Sequence, residues 1–185
     1  MDSILISILQ DLAKQSKGGN IPRLKELGGE IAQEAYIRGD KRLVNLIVIS
    51  YSIAKFLEKH YIRDSKPWEG FFAQYLFKLQ EAIEELKNNH EDEFHSILES
   101  IISDVGKLNE ETGRFQSTII EKARIKAGTQ IYAHGASLSM ASNFAGVDMA
   151  ALASYINVTK LPEKYGTLSV KERLKFAYAL FGIKE

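Results

Sequence analysis

The sequence has no cysteine, only three prolines and a formal net charge of zero. The lack of cysteine excludes disulfides, thiolate catalysis and cysteine-ligated zinc or iron–sulfur clusters. So few prolines leave long helices largely uninterrupted. Because 24 basic residues balance 24 acidic ones, no overall field attracts nucleic acid or an anionic membrane.

Long hydrophobic runs are also missing. The most apolar stretch, residues 43–57, is broken by polar residues and by Lys55, and it is shorter than the ~18 apolar residues of a membrane span. The first residues carry an acid at Asp2 and no basic cluster, which is not typical of a secretory signal. We expect a soluble cytoplasmic protein with no membrane partner.

Apolar residues recur at three- and four-residue spacing along almost the whole chain, which predicts an all-α fold. The first helix is predicted from Asp2 to Lys17, because Gly18 and Gly19 follow it. A second helix is predicted from about Pro22 to Gly39. The further helices are predicted from a cap at Asp40 to about Tyr61, from Pro67, after residues 88–90, from Asn109 to Ala133, over 136–144, over 148–156, and from Ser169 to Gly182.

The third of these helices is apolar on nearly every side, so we expect it to be the central, buried helix. The order of the helices and the distribution of charge predict two parts of the chain. Residues 1–106 form a helical bundle with a net charge of −4, and residues 107–185, with a net charge of +4, form a long linking helix and a smaller subdomain.

The histidines are the main candidates for catalytic or metal-binding residues. His90 and His95 lie five residues apart in HEDEFH, which separates the two rings by about 140° on a helix. Zinc proteases use a four-residue step. We expect a solvated helix start there and no metal site. His134 precedes Gly135, so a place at a helix end accounts for it. We therefore expect no enzyme and no cofactor.

The segment from Ala136 to Leu161 has two short apolar stretches on either side of a turn at Gly146. It resembles the helix-turn-helix family: Gly146 takes the turn position, Val147 follows it, and Leu152 and Tyr155 take the buried positions of the second helix. The resemblance implies two short helices that cross closely around a tight turn.

In that family the second helix reads DNA bases. Its early exposed positions would be Asp148, Met149, Ala150, Ala153 and Ser154, and none of these side chains makes bidentate base contacts. Cations suited to backbone or partner contact lie elsewhere. We expect nucleic-acid or partner contact from Lys122, Arg124, Lys126, Lys160, Lys164, Lys171, Arg173 and Lys175.

The chain as a whole is similar to uncharacterised all-helical archaeal proteins with a comparable small-residue motif near the C-terminus. That resemblance implies an all-helical fold and does not indicate any particular activity. The sequence therefore favours a non-enzymatic binding or assembly protein that acts through helical protein–protein interaction or self-association. The alternative is a nucleic-acid-binding protein with little sequence preference, because its contacts would be mainly with phosphate.

Overall fold

The computed structural model describes residues 3–112 and 119–159, and all regular structure within these ranges is helical. This confirms the all-α fold class. The helices are α1 (Ser3–Gly18), α2 (Ile21–Arg38), α3 (Val44–Leu57), α4 (His60–Arg63), α5 (Lys66–Lys87), α6 (Glu91–Thr112), α7 (Ile119–Ala133), α8 (Leu138–Ala145) and α9 (Met149–Thr159), with a 3₁₀ turn at Lys41–Leu43. The last predicted helix, from Ser169 to Gly182, lies outside the described residues.

Short polar residues and one glycine set the ends of α2 and the start of the 3₁₀ turn before α3. The side-chain oxygen of Asn20 accepts a hydrogen bond from the backbone N–H of Arg23 at 3.3 Å and so caps α2. Gly39 ends the helix with a φ of 66°, a conformation that glycine adopts without strain. Asp40 accepts from the N–H of Arg42 at 2.9 Å. The chain therefore reverses within a few residues, and α2 and α3 form the predicted helical hairpin.

α3 is the central helix, as the sequence predicts. All of its side chains are buried except Asn45, Tyr51 and Lys55. The helix packs against α2, α6 and α7. Because neighbours cover it on several sides, an almost uninterrupted apolar sequence is what its environment requires.

Aromatic rings connect α3 to α5. The ring of Phe56 meets those of Trp68 and Phe71 edge to face, with centroids 6.2 and 5.9 Å apart. Such arrangements add to the stability gained from burial alone. Farther along α5, the buried hydroxyl of Tyr75 lies 3.0 Å from the hydroxyl of Ser16 in α1. Burial raises the pKa of Tyr75 far above its usual value, so this phenol stays a neutral hydrogen-bonding group.

The predicted start of the sixth helix at Asn109 is wrong. α6 continues without a break from Glu91 to Thr112 and includes Asn109. Gly106 does not interrupt α6. A Cβ added at Gly106 would lie 3.6 Å from Cδ1 of Ile120, so the neighbouring helix covers this position.

The described helices share one hydrophobic core. Residues of α7, α8 and α9, such as Ile131, Ala141 and Leu152, belong to the same buried cluster as residues of α1 to α6. α7 packs directly against α2 and α3, which places α8 and α9 beside the bundle. The division at residues 106 and 107 stays a prediction, although α6 runs through both positions.

Candidate interaction surface

α8 and α9 are the two short helices predicted on either side of the glycine turn. The hydroxyl of Ser137 accepts from the N–H of Met140 at 3.2 Å and begins α8. Gly146 ends α8 with a φ of 64°. A side-chain oxygen of Asp148 then accepts from the N–H of Ala151 at 2.9 Å and begins α9. The two helices and the turn lie where expected, and membership of the helix-turn-helix family stays a prediction.

A glycine of α7 lets both short helices come close to it. A Cβ added at Gly128 would lie 3.1 Å from Cβ of Ala145 and 3.2 Å from both Cδ atoms of Leu152. Both neighbours are fully buried, so a side chain at position 128 would push α8 or α9 outward. The close crossing predicted from small residues is present. Sequence reasoning missed Gly128, the residue at its centre, because nothing in the local pattern marks it.

Arg124 of α7 holds the C-terminal end of α8. Its Nη1 donates a hydrogen bond to the carbonyl oxygen of Ala145 at 3.2 Å, at a helix end where a positive charge is favoured. The same Nη1 would lie 3.5 Å from a Cβ added at Gly146. Arg124, one of the predicted contact residues, is therefore partly buried and engaged within the protein.

The outer face of α9 is uncharged. Ala150, Ala151, Ser154 and Val158 are all exposed, and their three- and four-residue spacing places them on one face of the helix. Val158 exposes 80% of its surface. In the sequence from position 137 to position 159 only Asp148 is charged. A solvent-facing helix face usually carries charge, whereas this exposed face carries none.

Two larger apolar side chains of α9 are also partly exposed. Met149 is 48% exposed and Tyr155 is 37% exposed. The predicted burial of Tyr155 is wrong, whereas the predicted burial of Leu152 is confirmed. Leu152 and Tyr155 are about 60° apart around the helix. Leu152 points into the core against Gly128, and Tyr155 lies at the edge between core and solvent.

The described part of the chain contains three of the predicted contact cations. Besides Arg124, Lys122 is exposed and Lys126 is half-buried, one helical turn apart on α7. The other five predicted contacts lie outside the described residues: Lys160, Lys164, Lys171, Arg173 and Lys175. Nucleic-acid binding through this part of the chain therefore stays a prediction.

Two lysines that sequence reasoning missed lie near Lys126. Lys25 of α2 and Lys55 of α3 both form ion pairs with the carboxylate of Glu58, with Lys55 Nζ 2.8 Å from Oε2. No local pattern relates positions 25, 55 and 126. α7, which carries Lys126, packs across α2 and α3, which carry the other two lysines.

His134 lies at the end of α7, as predicted, with Gly135 in a left-handed conformation behind it. Its Nε2 is 3.1 Å from the carbonyl oxygen of Gly29 in α2. Burial lowers the pKa of His134, and the bond to Gly29 opposes this shift. The geometry makes His134 a link between two helices.

The prediction of a solvated helix start at HEDEFH is wrong for His95. His95 exposes only 7% of its surface, and its Nε2 lies 3.5 Å from Oδ2 of Asp40. Burial lowers the pKa of His95, and Arg42 lowers it further, whereas Asp40 raises it. His90 is exposed, as expected, and its Nδ1 lies 2.7 Å from a carboxylate oxygen of Glu85.

A cavity of about 420 Å³ opens beside His95. Its wall includes Arg38, Asp40, Arg42 and Glu91, so it carries charges of both signs in equal number. Nδ1 of His95 is buried without a hydrogen-bond partner. Because the charges of the wall compensate each other, with Arg42 Nε 3.1 Å from Oδ1 of Asp40, the cavity has no net charge that would select an ionic ligand.

No family model, curated protein or solved structure matches this chain. Within residues 3–112 and 119–159, no helix is long and apolar enough to cross a bilayer. In the same ranges, no three histidine or acidic side chains are grouped so that they could hold a metal ion.

Proposed function

We propose that this chain is a non-enzymatic assembly protein whose copies pair through the outer face of α9. The observation that carries the proposal is this uncharged, exposed face, defined by Ala150, Ala151, Ser154 and Val158. Exposed apolar surface on a folded protein commonly marks an interaction site. Burying Val158, which is 80% exposed, would remove apolar surface from water and so favour association.

The absence of charge on this face favours a second copy as the partner. In a two-fold symmetric pair the same surface meets itself, so any charge near its centre would face a like charge. α9 carries no charged side chain between Met149 and Thr159. The whole chain has a net charge of zero, so two copies also lack long-range repulsion.

The size of the side chains favours helix-on-helix packing. Ala150, Ala151 and Ser154 are small and exposed, and small side chains at a contact shorten the distance between two helix axes. Tyr155 stands beside Ala151 and is 37% exposed. Tyr is enriched at protein interfaces relative to other surface, so Tyr155 suits the border of such a contact.

Sedimentation equilibrium of the full chain over a range of concentrations tests the proposal. We expect the mean mass to rise from 20.8 kDa towards twice that value as the concentration increases. The variant Ala151→Glu/Val158→Glu should stay monomeric, because it places like charges opposite each other in the pair. Both positions are exposed, so the variant should keep its fold, which far-UV circular dichroism checks.

Phe77→Glu is the matched control, since Phe77 is an apolar residue of α5 that is 64% exposed. It adds a charge away from α9 and should associate like the unaltered chain. A chain that stays monomeric up to ~1 mM, the limit of weak association, would overturn the proposal. So would association that persists in Ala151→Glu/Val158→Glu.

A further inference from the structure

The cavity beside His95 lies where four helices meet at one end of the bundle. The start of α1, the end of α2 with the 3₁₀ turn, the end of α5 and the start of α6 all contribute to its wall. Its volume of about 420 Å³ falls within the range of ~300–1,000 Å³ that is typical of small-molecule sites. The cavity is therefore large enough for a small organic ligand.

One part of the wall is apolar and buried. Four side chains form this part, which we call the floor, and each exposes 5% of its surface or less: Leu5, Leu43, Leu86 and Phe94. All four also belong to the hydrophobic core. Because core packing fixes their positions, the floor is preformed and can cover the apolar part of a ligand. The charged part of the wall, which we call the rim, includes Arg42 and Glu91.

Arg42 has hydrogen-bond donors to spare at the rim. A guanidinium group has five N–H donors. Arg42 donates from Nε and Nη2 to Asp40, at 3.1 and 3.5 Å, and from Nη1 to Asp92 at 3.3 Å. The side chain of Asp92 is 94% exposed, and an ion pair in such an exposed position contributes little to stability. Arg42 can therefore bind the carboxylate of a ligand.

Glu91 supplies a negative charge at the same rim. Within the described ranges it forms no hydrogen bond, and the only cationic group within 4 Å of its carboxylate is that of Arg42, with Nη2 3.8 Å from Oε2. That distance is too long for a hydrogen bond. The carboxylate of Glu91 can therefore accept hydrogen bonds from the ammonium group of a ligand, next to the remaining donors of Arg42.

We propose that this cavity binds a free α-amino acid with an apolar side chain. The carboxylate of the ligand pairs with Arg42, its ammonium group pairs with Glu91, and its side chain contacts the floor. Both charges of an α-amino acid are attached to one carbon, and the rim charges of Arg42 and Glu91 are only 3.8 Å apart, so one small molecule can pair with both. The ligand also has no net charge, which matches a wall with two positive and two negative residues.

Titration of the isotope-labelled full chain with L-leucine, followed by the NMR signals of the backbone amides, tests the site. We expect saturable shifts with one site per chain, and the shifted signals should include those of Gly39 and Phe94 in the cavity wall. Three related compounds each lack one part of leucine. Glycine lacks the apolar side chain and should bind roughly tenfold more weakly or worse, because it leaves the floor uncovered. Isocaproate lacks the ammonium group and isoamylamine lacks the carboxylate, so each should lose about tenfold in affinity, the effect of one charge-assisted hydrogen bond.

Glu91→Gln should weaken leucine binding by about tenfold but should not weaken the binding of isocaproate, which has no ammonium group for Glu91 to pair with. Partial unfolding would weaken both ligands, so a loss confined to leucine separates direct pairing from a structural effect. Glu93→Gln is the matched control. Glu93 is exposed in the same first turn of α6 and is not part of the cavity wall, so this variant should bind leucine like the unaltered chain.

Arg42→Gln should show the converse pattern. It should weaken the binding of leucine and of isocaproate by about tenfold, because both carry the carboxylate that pairs with Arg42. It should not weaken the binding of isoamylamine, which has no carboxylate. Arg63→Gln removes an exposed arginine outside the cavity wall and should leave all three affinities unchanged. Far-UV circular dichroism checks the fold of each variant.

The proposal is overturned if leucine does not bind at concentrations up to ~1 mM, which corresponds to weak binding, or if the shifted signals lie away from the cavity. It is also overturned if glycine, isocaproate or isoamylamine binds as tightly as leucine, or if Glu93→Gln loses as much affinity as Glu91→Gln. The cavity wall contains no residue of α9, so the site does not depend on pairing through that helix. The monomeric Ala151→Glu/Val158→Glu variant should bind leucine as tightly as the unaltered chain.

Discussion

His134 of α7 donates a hydrogen bond from Nε2 to the carbonyl oxygen of Gly29 in α2, across 3.1 Å. A carbonyl oxygen only accepts, so Nε2 must carry a proton. Burial nevertheless lowers the pKa of the ring. The folded protein therefore holds His134 as a neutral donor that joins two helices, and taking up a second proton opposes folding.

We expect the free energy of unfolding to fall as the pH drops below 6.5. In the unfolded chain histidines titrate near 6.5, whereas His95 and His134 of the folded chain take up protons only at lower pH. The unfolded chain thus binds more protons in this window, and stability is lost until the pH has passed below the lowered pKa values. Above 6.5 both states are neutral at these positions. Urea unfolding followed by Trp68 fluorescence between about pH 5 and pH 8 measures this slope.

The double variant His95→Gln/His134→Gln should show a smaller slope, because neither position then titrates. Glutamine at position 134 can still donate to Gly29. His60→Gln is the control, since His60 is exposed and lies away from both sites. An unchanged slope in the double variant would contradict the assignment.

Gly128→Val should lower the free energy of unfolding by about 1–3 kcal/mol, the usual cost of overpacking. The added atoms would meet Ala145 and Leu152, which lie 3.1 and 3.2 Å from a Cβ at this position. Gly70→Ala is the contrast: nothing lies within 4 Å of a Cβ added there. It should raise the free energy by roughly 0.5–1 kcal/mol, because alanine favours a helix interior. Thermal unfolding compares the two, and equal effects would refute the close crossing.

Leu152→Ala should lower the free energy of unfolding by about 2–5 kcal/mol, since Leu152 is fully buried. Trp68 lies in α5, far along the sequence, yet both residues belong to one core. We therefore expect the transitions seen by Trp68 fluorescence and by far-UV circular dichroism to move together. A Trp68 transition that stays in place would instead show that residues 107–185 unfold as a separate domain.

Arg124→Met should destabilise the fold by about 1 kcal/mol, because it leaves the carbonyl oxygen of Ala145 without its donor. Lys122→Met changes the same charge two residues earlier at an exposed position and should have an effect within about 0.5 kcal/mol. Chemical denaturation of the two variants measures the difference. Similar values for both would show that the bond from Arg124 contributes little.

Local features of the sequence were enough to place most helices. Gly39 ends α2 and Asp40 begins the 3₁₀ turn that leads into α3, each through its own backbone or side-chain geometry, so their effect is visible in the sequence alone. The apolar character of residues 44–57 likewise predicts a central helix. Helix caps and amphipathic patterns depend on residues only a few positions apart, so helix positions can be predicted well from the sequence.

The features that sequence reasoning missed depend on partners far along the chain. The sequence predicts a helix start at Asn109, whereas α6 runs through this position and packs against Ile120 of α7 at Gly106. Burial of His95 requires the turn at Asp40 beside it. Lys126 has its unusual surroundings only because α2 and α3 supply two more lysines. Helix pairing of this kind is not encoded in local periodicity.

The packing of α7 across α2 and α3 has a consequence for synthesis. A nascent chain that ends before Ile119 lacks the helix that covers this side of the hairpin, so apolar surface of α2 and α3 faces water on the ribosome. Such surface invites aggregation or capture by a chaperone. The contact between His134 and Gly29 spans 105 residues. The hairpin of α2 and α3 therefore gains this contact only after most of the described chain has been synthesised.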